Sequence, residues 1–416
     1  MDFLQPLSDR LLGSADPART IDPFNWTYST HAPLNLTEAT EKLREEESIE
    51  VSGCQKIRTH IVQVASQQPV EDRFTCEAIK VESQEWPYWG VFDGHSGWAT
   101  AEILRNVLGP YLARELSGLD ASDVHNHVHV RAAVEKVFCT LDDKILSDGL
   151  KAIDGSLSHA EAMCRMAPSS SGSCATTVFL DPVTKTLHVA CVGDSRAVLG
   201  RKSDETGKAW TAEPLSEDQT GFNKDEIERI EQEHPGETPV SDGRVLNCAV
   251  TRSFGDNRWK WPLKDLETWR DYYFGRNTLS NYHTPPYLTA KPVVTSTQIK
   301  AGDFLILASD GFWSHVSSED AVHCASMWLR RESGAKTDQK TPALPAEEAS
   351  KRTSGYPYDF IMDRADFIVN DENAATHLAR NAFGGRNEDL FCSLLSTKAP
   401  DSKEARDDLT VIVVLF

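Results

Sequence analysis

The stretch GVFDGHSGWAT, at residues 90–100, passes from an apolar segment into an Asp-Gly-His turn and then into a helical sequence. An ionisable pair at the end of a buried strand is costly unless a partner or a metal ion offsets its charge. The turn therefore needs a partner from elsewhere in the chain.

Short apolar runs of the same kind recur along the chain and predict strands. They are YWGVFDG (88–94), CATTVFL (174–180), LHVACVGD (187–194), DFLILASD (303–310) and LTVIVVLF (409–416). Most are continuously apolar rather than alternating, which is typical of strands buried on both faces. Residues 98–117 and 129–146 instead show helical periodicity, so we expect a layered fold with helices outside the sheets.

Composition narrows the class of protein. The chain has 416 residues, 40% of them hydrophobic, and a formal net charge of −20. Without a cluster of Lys and Arg it is not expected to bind nucleic acid, and without an apolar run of about 20 residues it is not expected to span a membrane. Nine cysteines include no C-x-x-C pair, which favours free thiols in a reducing compartment.

Acids stand at the polar boundaries of four strand-like segments: Glu71 and Asp72, Asp93, Asp310, and Asp407 with Asp408. Each acid alone is commonly explained by an Asx-turn or a helix cap. If the strand ends converge, however, the carboxylates form an oxygen-rich site suited to Mg²⁺ or Mn²⁺. Because such ions lower the pKa of bound water and hold phosphoryl oxygens, the set indicates a hydrolase.

Eight blocks in a fixed order resemble the metal-dependent serine/threonine protein phosphatases of type 2C. They are EDR, VFDGHSG, SGSCATTVFL, LHVACVGDSRAVL, LSEDQT, GRVLNCAVTRSFGD, LILASDGFW and RDDLTVIVV. The resemblance spans about residues 60–416. It implies an α+β fold, a four-layer α-β-β-α sandwich, and hydrolysis of phosphoserine and phosphothreonine in phosphoproteins.

The segment NAATHLARNAFGG (373–385) and the large inserts look most similar to the branch that includes pyruvate dehydrogenase phosphatase. This resemblance makes pyruvate dehydrogenase a candidate substrate and the mitochondrial matrix a candidate location. The N-terminal residues, however, lack the Arg-rich, acid-poor character of a transit peptide, so the sequence itself indicates only an intracellular protein.

The resemblance also implies a pair of Mg²⁺ or Mn²⁺ ions and the residues that hold them. Asp93 would bridge both ions. Glu71 and the Gly94 carbonyl would bind one ion, and Asp310 and Asp407 the other. A glycine suits position 94, since a backbone oxygen approaches an ion closely only where no side chain intrudes.

Three further roles follow from the same resemblance. Asp72 would hold a water beside the ions, and His95 would donate a proton to the departing seryl or threonyl oxygen. For His95, an ordinary capping or hydrogen-bonding role remains the alternative. Gln67 stands where many members carry a phosphate-binding arginine; its amide can bind phosphate but supplies no charge. Arg73 is expected to point the other way along its strand.

A third ion is a separate question. Asp194, in VGDSR, matches a residue that helps to bind a weaker third ion in the family, but Ser314 replaces its usual aspartate companion. The resemblance therefore predicts the pair of ions but leaves the binding of a third ion open. Asp194 either joins the ion site or caps its own turn.

Residues 215–236 resemble the flap beside the family's cleft, whose residues contact the protein substrate. Within them, GFNKDEIERI predicts a short helix with Asn223 as N-cap and Glu226 as the reciprocal partner of a capping box.

We divide the chain into an N-terminal extension with a helix, residues 1–55, and a phosphatase domain, residues 56–416. The domain carries inserts at about 258–288 and 332–357. The first insert is rich in aromatic residues and is either a protein-contact surface or a loop packed on the body. Two functional alternatives also stay open: a catalytically weak pseudophosphatase acting as a scaffold or regulator, and an unrelated metal-dependent phosphoesterase or nucleotide hydrolase.

Overall fold

A computed structural model describes residues 32–52, 57–202, 210–334 and 361–416. The first 31 residues of the predicted extension and most of the second insert lie outside the described residues. The strands are β1 (Glu46–Val51), β2 (Arg58–Val64), β3 (Arg73–Val81), β4 (Gln84–Phe92), β5 (Gly94–His95), β6 (Gly172–Ser173), β7 (Ala175–Asp181), β8 (Thr186–Val192), β9 (Arg196–Lys202), β10 (Trp210–Pro214), β11 (Val240–Ser241), β12 (Arg244–Val245), β13 (Phe254–Gly255), β14 (Val293–Gln298), β15 (Phe304–Ala308) and β16 (Leu409–Leu415).

The helices occur singly or in groups between runs of these strands. They are α1 (Leu36–Leu43), α2 (Ala99–Leu116), α3 (His127–Ala152), α4 (His159–Ser170), α5 (Lys224–Glu233), α6 (Asn257–Lys260), α7 (Leu263–Tyr272), α8 (Asp310–Trp313), α9 (Ser318–Glu332), α10 (Ala374–Ala382), α11 (Glu388–Ser396) and α12 (Ser402–Ala405), with a 3₁₀ turn at Arg364–Asp366. No helix among the described residues combines the length and the apolar character needed to cross a bilayer.

Two antiparallel sheets form the centre of the molecule. One has six strands in the order β1-β2-β16-β15-β9-β10, and the other has five in the order β14-β8-β7-β4-β3. Side chains such as Trp89, Val178, Leu305 and Ile412 fill the space between the sheets. A smaller three-stranded sheet, β13-β6-β5, lies at the end of β4.

Helices cover the outer face of each sheet. Helices α2 and α3 pack on the five-stranded sheet, and α1, α9, α10 and α11 pack on the six-stranded sheet. The result is the four-layer α-β-β-α sandwich predicted from the sequence. The continuous apolar runs have the expected cause: β15 is buried along its whole length between β9 and β16.

The aromatic insert contains helices α6 and α7, and much of it is packed on the body against α3 and α4. Its buried aromatic side chains are Trp259, Trp261, Trp269, Tyr273, Tyr282 and Tyr287. Tyr272 and Phe274 are instead 67% and 86% exposed. The insert therefore has a side packed on the body and an exposed side, and a protein-contact role for the exposed side stays a prediction.

The predicted N-terminal helix is present as α1, but it is not fully solvated, because Ala39 and Leu43 are buried. Strand β1 pairs with β2 at the edge of the six-stranded sheet. The domain boundary at residue 55 stays a prediction.

Candidate metal centre and active site

The Asp-Gly-His turn is fixed by backbone pairing at the end of β4. Strand β5 pairs with β6, which places His95 opposite Gly172. A β-carbon at Gly94 would lie 2.3 Å from the Glu71 carbonyl oxygen. Only glycine fits this close approach, so residue 94 locks the turn against the segment that carries Glu71.

Three carboxylates from different strand ends meet beside this turn. Asp93, Asp194 and Asp310 each offer an oxygen, and these oxygens all lie within 4.8 Å of one another. The Asp310 amide also donates to the Asp93 carboxylate at 3.3 Å. Asp310 begins α8 directly after β15, and Asp194 follows β8, so the two sheets deliver the acids to one place.

The electrostatics of this cluster suit a cation. Burial, followed by the charges of neighbouring carboxylates, raises the pKa of Asp93 and that of Asp310 well above the usual range. For Asp194, burial and the charge of Asp218 raise the pKa to about 6. Desolvated carboxylates that repel one another are stabilised by a divalent cation with oxygen ligands, so the residues fit the predicted ions.

Glu71 and Asp407 are not among the three clustered carboxylates, and Lys403 lies close to both of them. The Glu71 carboxylate accepts hydrogen bonds from the Gly97 amide at 2.6 Å and from Lys403 Nζ at 2.6 Å. Burial raises the pKa of Asp407, while the Asp408 amide and the charge of Lys403 oppose that rise. Sequence reasoning missed Lys403, whose only signal is its position four residues before Asp407.

Two further acids, Asp72 and Asp408, form hydrogen bonds that connect the start of β16 with the segment that carries Glu71. Thr410 donates to Asp72 at 2.7 Å, and burial with the charge of Asp408 raises the pKa of Asp72 well above its usual range. Asp408 accepts from the amides of Ser66 at 2.6 Å and Glu71 at 2.7 Å. Asp408 therefore positions the backbone that carries Glu71.

His95 has a buried partner that sequence reasoning did not assign. Its Nε2 lies 2.7 Å from Asp256 Oδ2, and the Ser253 hydroxyl donates to that same oxygen at 2.6 Å. Burial alone would lower the pKa of His95, but the Asp256 charge and hydrogen bond outweigh it and raise the pKa. The available signal was the SFGD segment, which belongs to one of the eight blocks.

This pair depends on the small sheet. Strand β6 lies between β5 and β13, so His95 and Gly255 stand on either side of Gly172, and Asp256 follows Gly255. A β-carbon at Gly172 would lie 2.1 Å from His95 Nε2 and 2.3 Å from Asp256 Oδ2. Glycine at residue 172 thus leaves room for the imidazole–carboxylate contact.

Gln67 has a different environment. It lines a cavity of about 430 Å³ together with Lys42, Lys398 and Arg406, and none of the clustered acids lines that cavity. A role for Gln67 in phosphate binding stays a prediction. Arg73 pairs with Glu102 on α2 at 2.5 Å, and its predicted direction along the strand stays a prediction.

The flap helix confirms only half of the predicted capping box. Asn223 accepts hydrogen bonds from the amides of Asp225 and Glu226 at the start of α5. The Glu226 side chain, however, does not reach back to the N-cap. It binds the buried Arg252 through Nη2 at 2.5 Å and accepts from the Thr251 hydroxyl at 2.7 Å, because these partners offer charge and burial that the cap does not.

Comparison with known proteins identifies one family. The family model described as Protein phosphatase 2C matches residues 64–354. A protein phosphatase 2C homolog of Schizosaccharomyces pombe is 36% identical over 389 residues, which cover 91% of this chain and 84% of that protein. Mitochondrial pyruvate dehydrogenase (acetyl-transferring) phosphatase 1 of Saccharomyces cerevisiae is 32% identical over 422 residues, covering 92% of this chain and 73% of that protein.

A solved structure supports the fold. The crystal structure of serine-threonine phosphatase 2C from Toxoplasma gondii superposes with a TM-score of 0.52 at 18% identity, covering 89% of this chain and 98% of that one. The family model spans well over half of the chain, and the two relatives named above match 91% and 92% of it. The chain therefore belongs to the protein phosphatase 2C family and is a protein serine/threonine phosphatase.

Proposed function

We propose that this phosphatase is metal-dependent and uses two Mg²⁺ or Mn²⁺ ions. The ions would be held by Asp93, Glu71, the Gly94 carbonyl, Asp310 and Asp407. The observation that carries the proposal is the convergence of the carboxylates of Asp93, Asp194 and Asp310 within 4.8 Å. Asp194 is close enough to contribute to the same site, which supports its role with the ions over a cap of its own turn.

Ions held at this site would polarise the phosphoryl group and lower the pKa of a water molecule. The chain's own residues supply orientation. Asp72 is fixed from behind by Thr410 and lies near enough for its charge to raise the pKa of Asp93. This supports the predicted role of Asp72 in holding a water beside the ligands.

His95 is proposed as the general acid for the departing seryl or threonyl oxygen. Asp256 holds Nε2, which fixes the orientation of the ring and leaves Nδ1 as the nitrogen that can donate. By stabilising the positive imidazolium, Asp256 keeps the acid protonated before the leaving group needs the proton.

The test measures hydrolysis of p-nitrophenyl phosphate and of phosphoserine and phosphothreonine peptides, with Mn²⁺ and with a chelator. We expect turnover of all three substrates only with Mn²⁺, and its loss in Asp93→Asn. Absence of turnover with Mn²⁺ would overturn the proposal and favour a scaffold. Hydrolysis of nucleotides but not of phosphopeptides would favour a nucleotide hydrolase.

We infer further that phosphorylated pyruvate dehydrogenase is a substrate and that the enzyme acts in the mitochondrial matrix. The inference is supported by the likeness to the yeast mitochondrial phosphatase over 92% of this chain. Phosphoproteomics after deletion of the gene should show increased phosphorylation of the dehydrogenase. An unchanged phosphorylation state would remove this substrate, and fractionation of the cell tests the location separately.

A further inference from the structure

The aromatic insert brings an arginine to the rim of the active site. Arg276 is exposed, and its Nη1 lies 3.4 Å from the hydroxyl oxygen of Ser96. Ser96 directly follows His95, the proposed general acid. A long, charged side chain of the insert therefore stands beside the turn that carries the chemistry.

A second arginine lies close to the first and is held in place. Arg258, on α6, is half-buried, and its Nε and Nη2 donate to the Asn277 carbonyl at 3.2 and 3.0 Å. Its guanidinium carbon also lies 5.5 Å from the centre of the Trp259 ring. Burial, together with the charge of Arg276, lowers the pKa of Arg258 from its ordinary value.

Neither of these guanidinium groups has a carboxylate partner among the described residues. Their neighbours in the insert differ. Lys260, two residues after Arg258 in the same short helix, pairs with Asp142 at 2.7 Å, and Arg270 pairs with Asp271 at 2.7 Å. In a chain with a net charge of −20, these two neighbouring guanidinium groups therefore keep their positive charge available to an external anion.

We propose that Arg258 and Arg276 form an anion-recognition site that binds an acidic group, a carboxylate or a second phosphate, on the same phosphoprotein segment that is dephosphorylated. Guanidinium groups suit this task because they offer planar, bidentate hydrogen bonding to both kinds of oxyanion. The inference rests on the proposed function, and it names the class of substrate that the site prefers.

The position of Arg276 determines how far from the phosphorylated residue the preferred acidic residue lies in the peptide. An extended peptide advances about 3.3–3.6 Å per residue, and Arg276 touches the residue next to the proposed acid. An anionic side chain within about three residues of the phosphorylated position is therefore within reach of the pair.

The experiment compares three phosphoserine peptides of one sequence. The first has Glu at the positions within three residues of the phosphoserine, the second has Gln there, and the third carries one further phosphoserine in place of Glu. For the wild type we expect kcat/KM to be about tenfold higher with the Glu peptide than with the Gln peptide, mainly through KM, as charge-assisted hydrogen bonds predict. The peptide with a second phosphate distinguishes the two sources of negative charge.

Variants then assign the preference to the arginines. In Arg276→Ala and in the double variant with Arg258→Ala, the ratio of kcat/KM between the Glu and Gln peptides should fall to about one, and Arg276→Lys should restore part of it. Arg270→Ala is the matched control and should keep the wild-type ratio. A ratio that is equal in the wild type and the double variant would overturn the inference.

The two proposals fail in different ways. If p-nitrophenyl phosphate and all peptides stay intact with Mn²⁺, the proposed function is wrong, and this inference falls with it. If all substrates are hydrolysed but the acidic peptides gain nothing from the arginines, only the inference on recognition is wrong.

Discussion

Replacing Asp256 by Asn should slow the hydrolysis of alkyl phosphates much more than that of aryl phosphates. Asp256 is 1% exposed and accepts from His95 Nε2 at 2.7 Å. The substitution keeps the shape of the side chain but removes the negative charge. His95 would then be protonated to a smaller extent at neutral pH, because its positive form loses the negative charge that is hydrogen-bonded to it.

The contact sets the size of the effect. A hydrogen bond to a charged group contributes about 1.5–3 kcal/mol. Since each 1.36 kcal/mol changes a rate tenfold, kcat for a phosphoserine peptide should fall roughly 10- to 100-fold. A nitrophenolate leaves as a stable anion and needs no proton, so its release should slow by less than about threefold.

The assay measures kcat for a phosphoserine peptide and for p-nitrophenyl phosphate with saturating Mn²⁺. Asp142→Asn serves as a control, because Asp142 is also a buried carboxylate near the small sheet but contacts Lys260 and the Gly255 amide instead of His95. The control should change both rates by the same factor. An equal loss with both substrates in Asp256→Asn would refute the role of the pair in protonating the leaving group.

Three other predictions follow from buried or paired charges. Glu226→Gln leaves Arg252 without its carboxylate and should lower the free energy of unfolding at pH 7 by about 3 kcal/mol in urea titrations. Burial would raise the pKa of Glu226, but its arginine partners outweigh burial and lower the pKa to about 2. The stabilisation by Glu226 is therefore present above pH 4.5 and is lost as the pH falls toward 2. An unchanged urea midpoint for Glu226→Gln at pH 7 would contradict this prediction. Burial lowers the pKa of His377 to about 4, whereas an exposed histidine has a pKa of about 6.5. Between these two pH values the unfolded chain binds a proton that the folded chain does not bind. Acidification over this range therefore removes about 3 kcal/mol from the free energy of unfolding. His377→Gln should lose correspondingly less over that range, and the same loss in both proteins would exclude His377 as the cause. Lys403→Gln removes the cation beside Glu71 and should tighten Mn²⁺ binding by about 1 kcal/mol, roughly fivefold; weaker binding in calorimetry would show that the lysine assists the site.

The strands of the two sheets could be predicted from the sequence because buried strands leave a strong apolar pattern. A strand such as β15, covered on both faces, has to be apolar along its length, and the acid that follows it has to lie at the sheet's edge. Since both sheets end near one another, Asp93 and Asp310 could be predicted to converge before their distance was known.

The partners of the active-site residues could not be predicted in the same way. Asp256 lies 161 residues from His95, and the two meet only because β6 pairs with β5 on one side and β13 on the other. Lys403 stands four residues before Asp407, but this spacing does not indicate its partner, since the pairing with Glu71 joins positions 332 residues apart. Such contacts depend on tertiary structure, which periodicity does not report.

Tertiary structure also overrode two local patterns. Glu226 has the spacing of a capping box, but Arg252 offers it a buried ion pair, which is stronger than an exposed cap. The aromatic insert lacks clean periodicity, yet it forms the helix Leu263–Tyr272 because Leu266 and Trp269 are buried against neighbouring helices. Packing rather than propensity decides the structure of that segment.

The most direct measurement of the central claim is a calorimetric titration of the metal-free protein with Mn²⁺, alongside Asp93→Asn. We expect the wild type to take up two ions per chain and the variant, which still folds by circular dichroism, to lose that uptake. No uptake by the folded wild type, or the same uptake by both proteins, would contradict it.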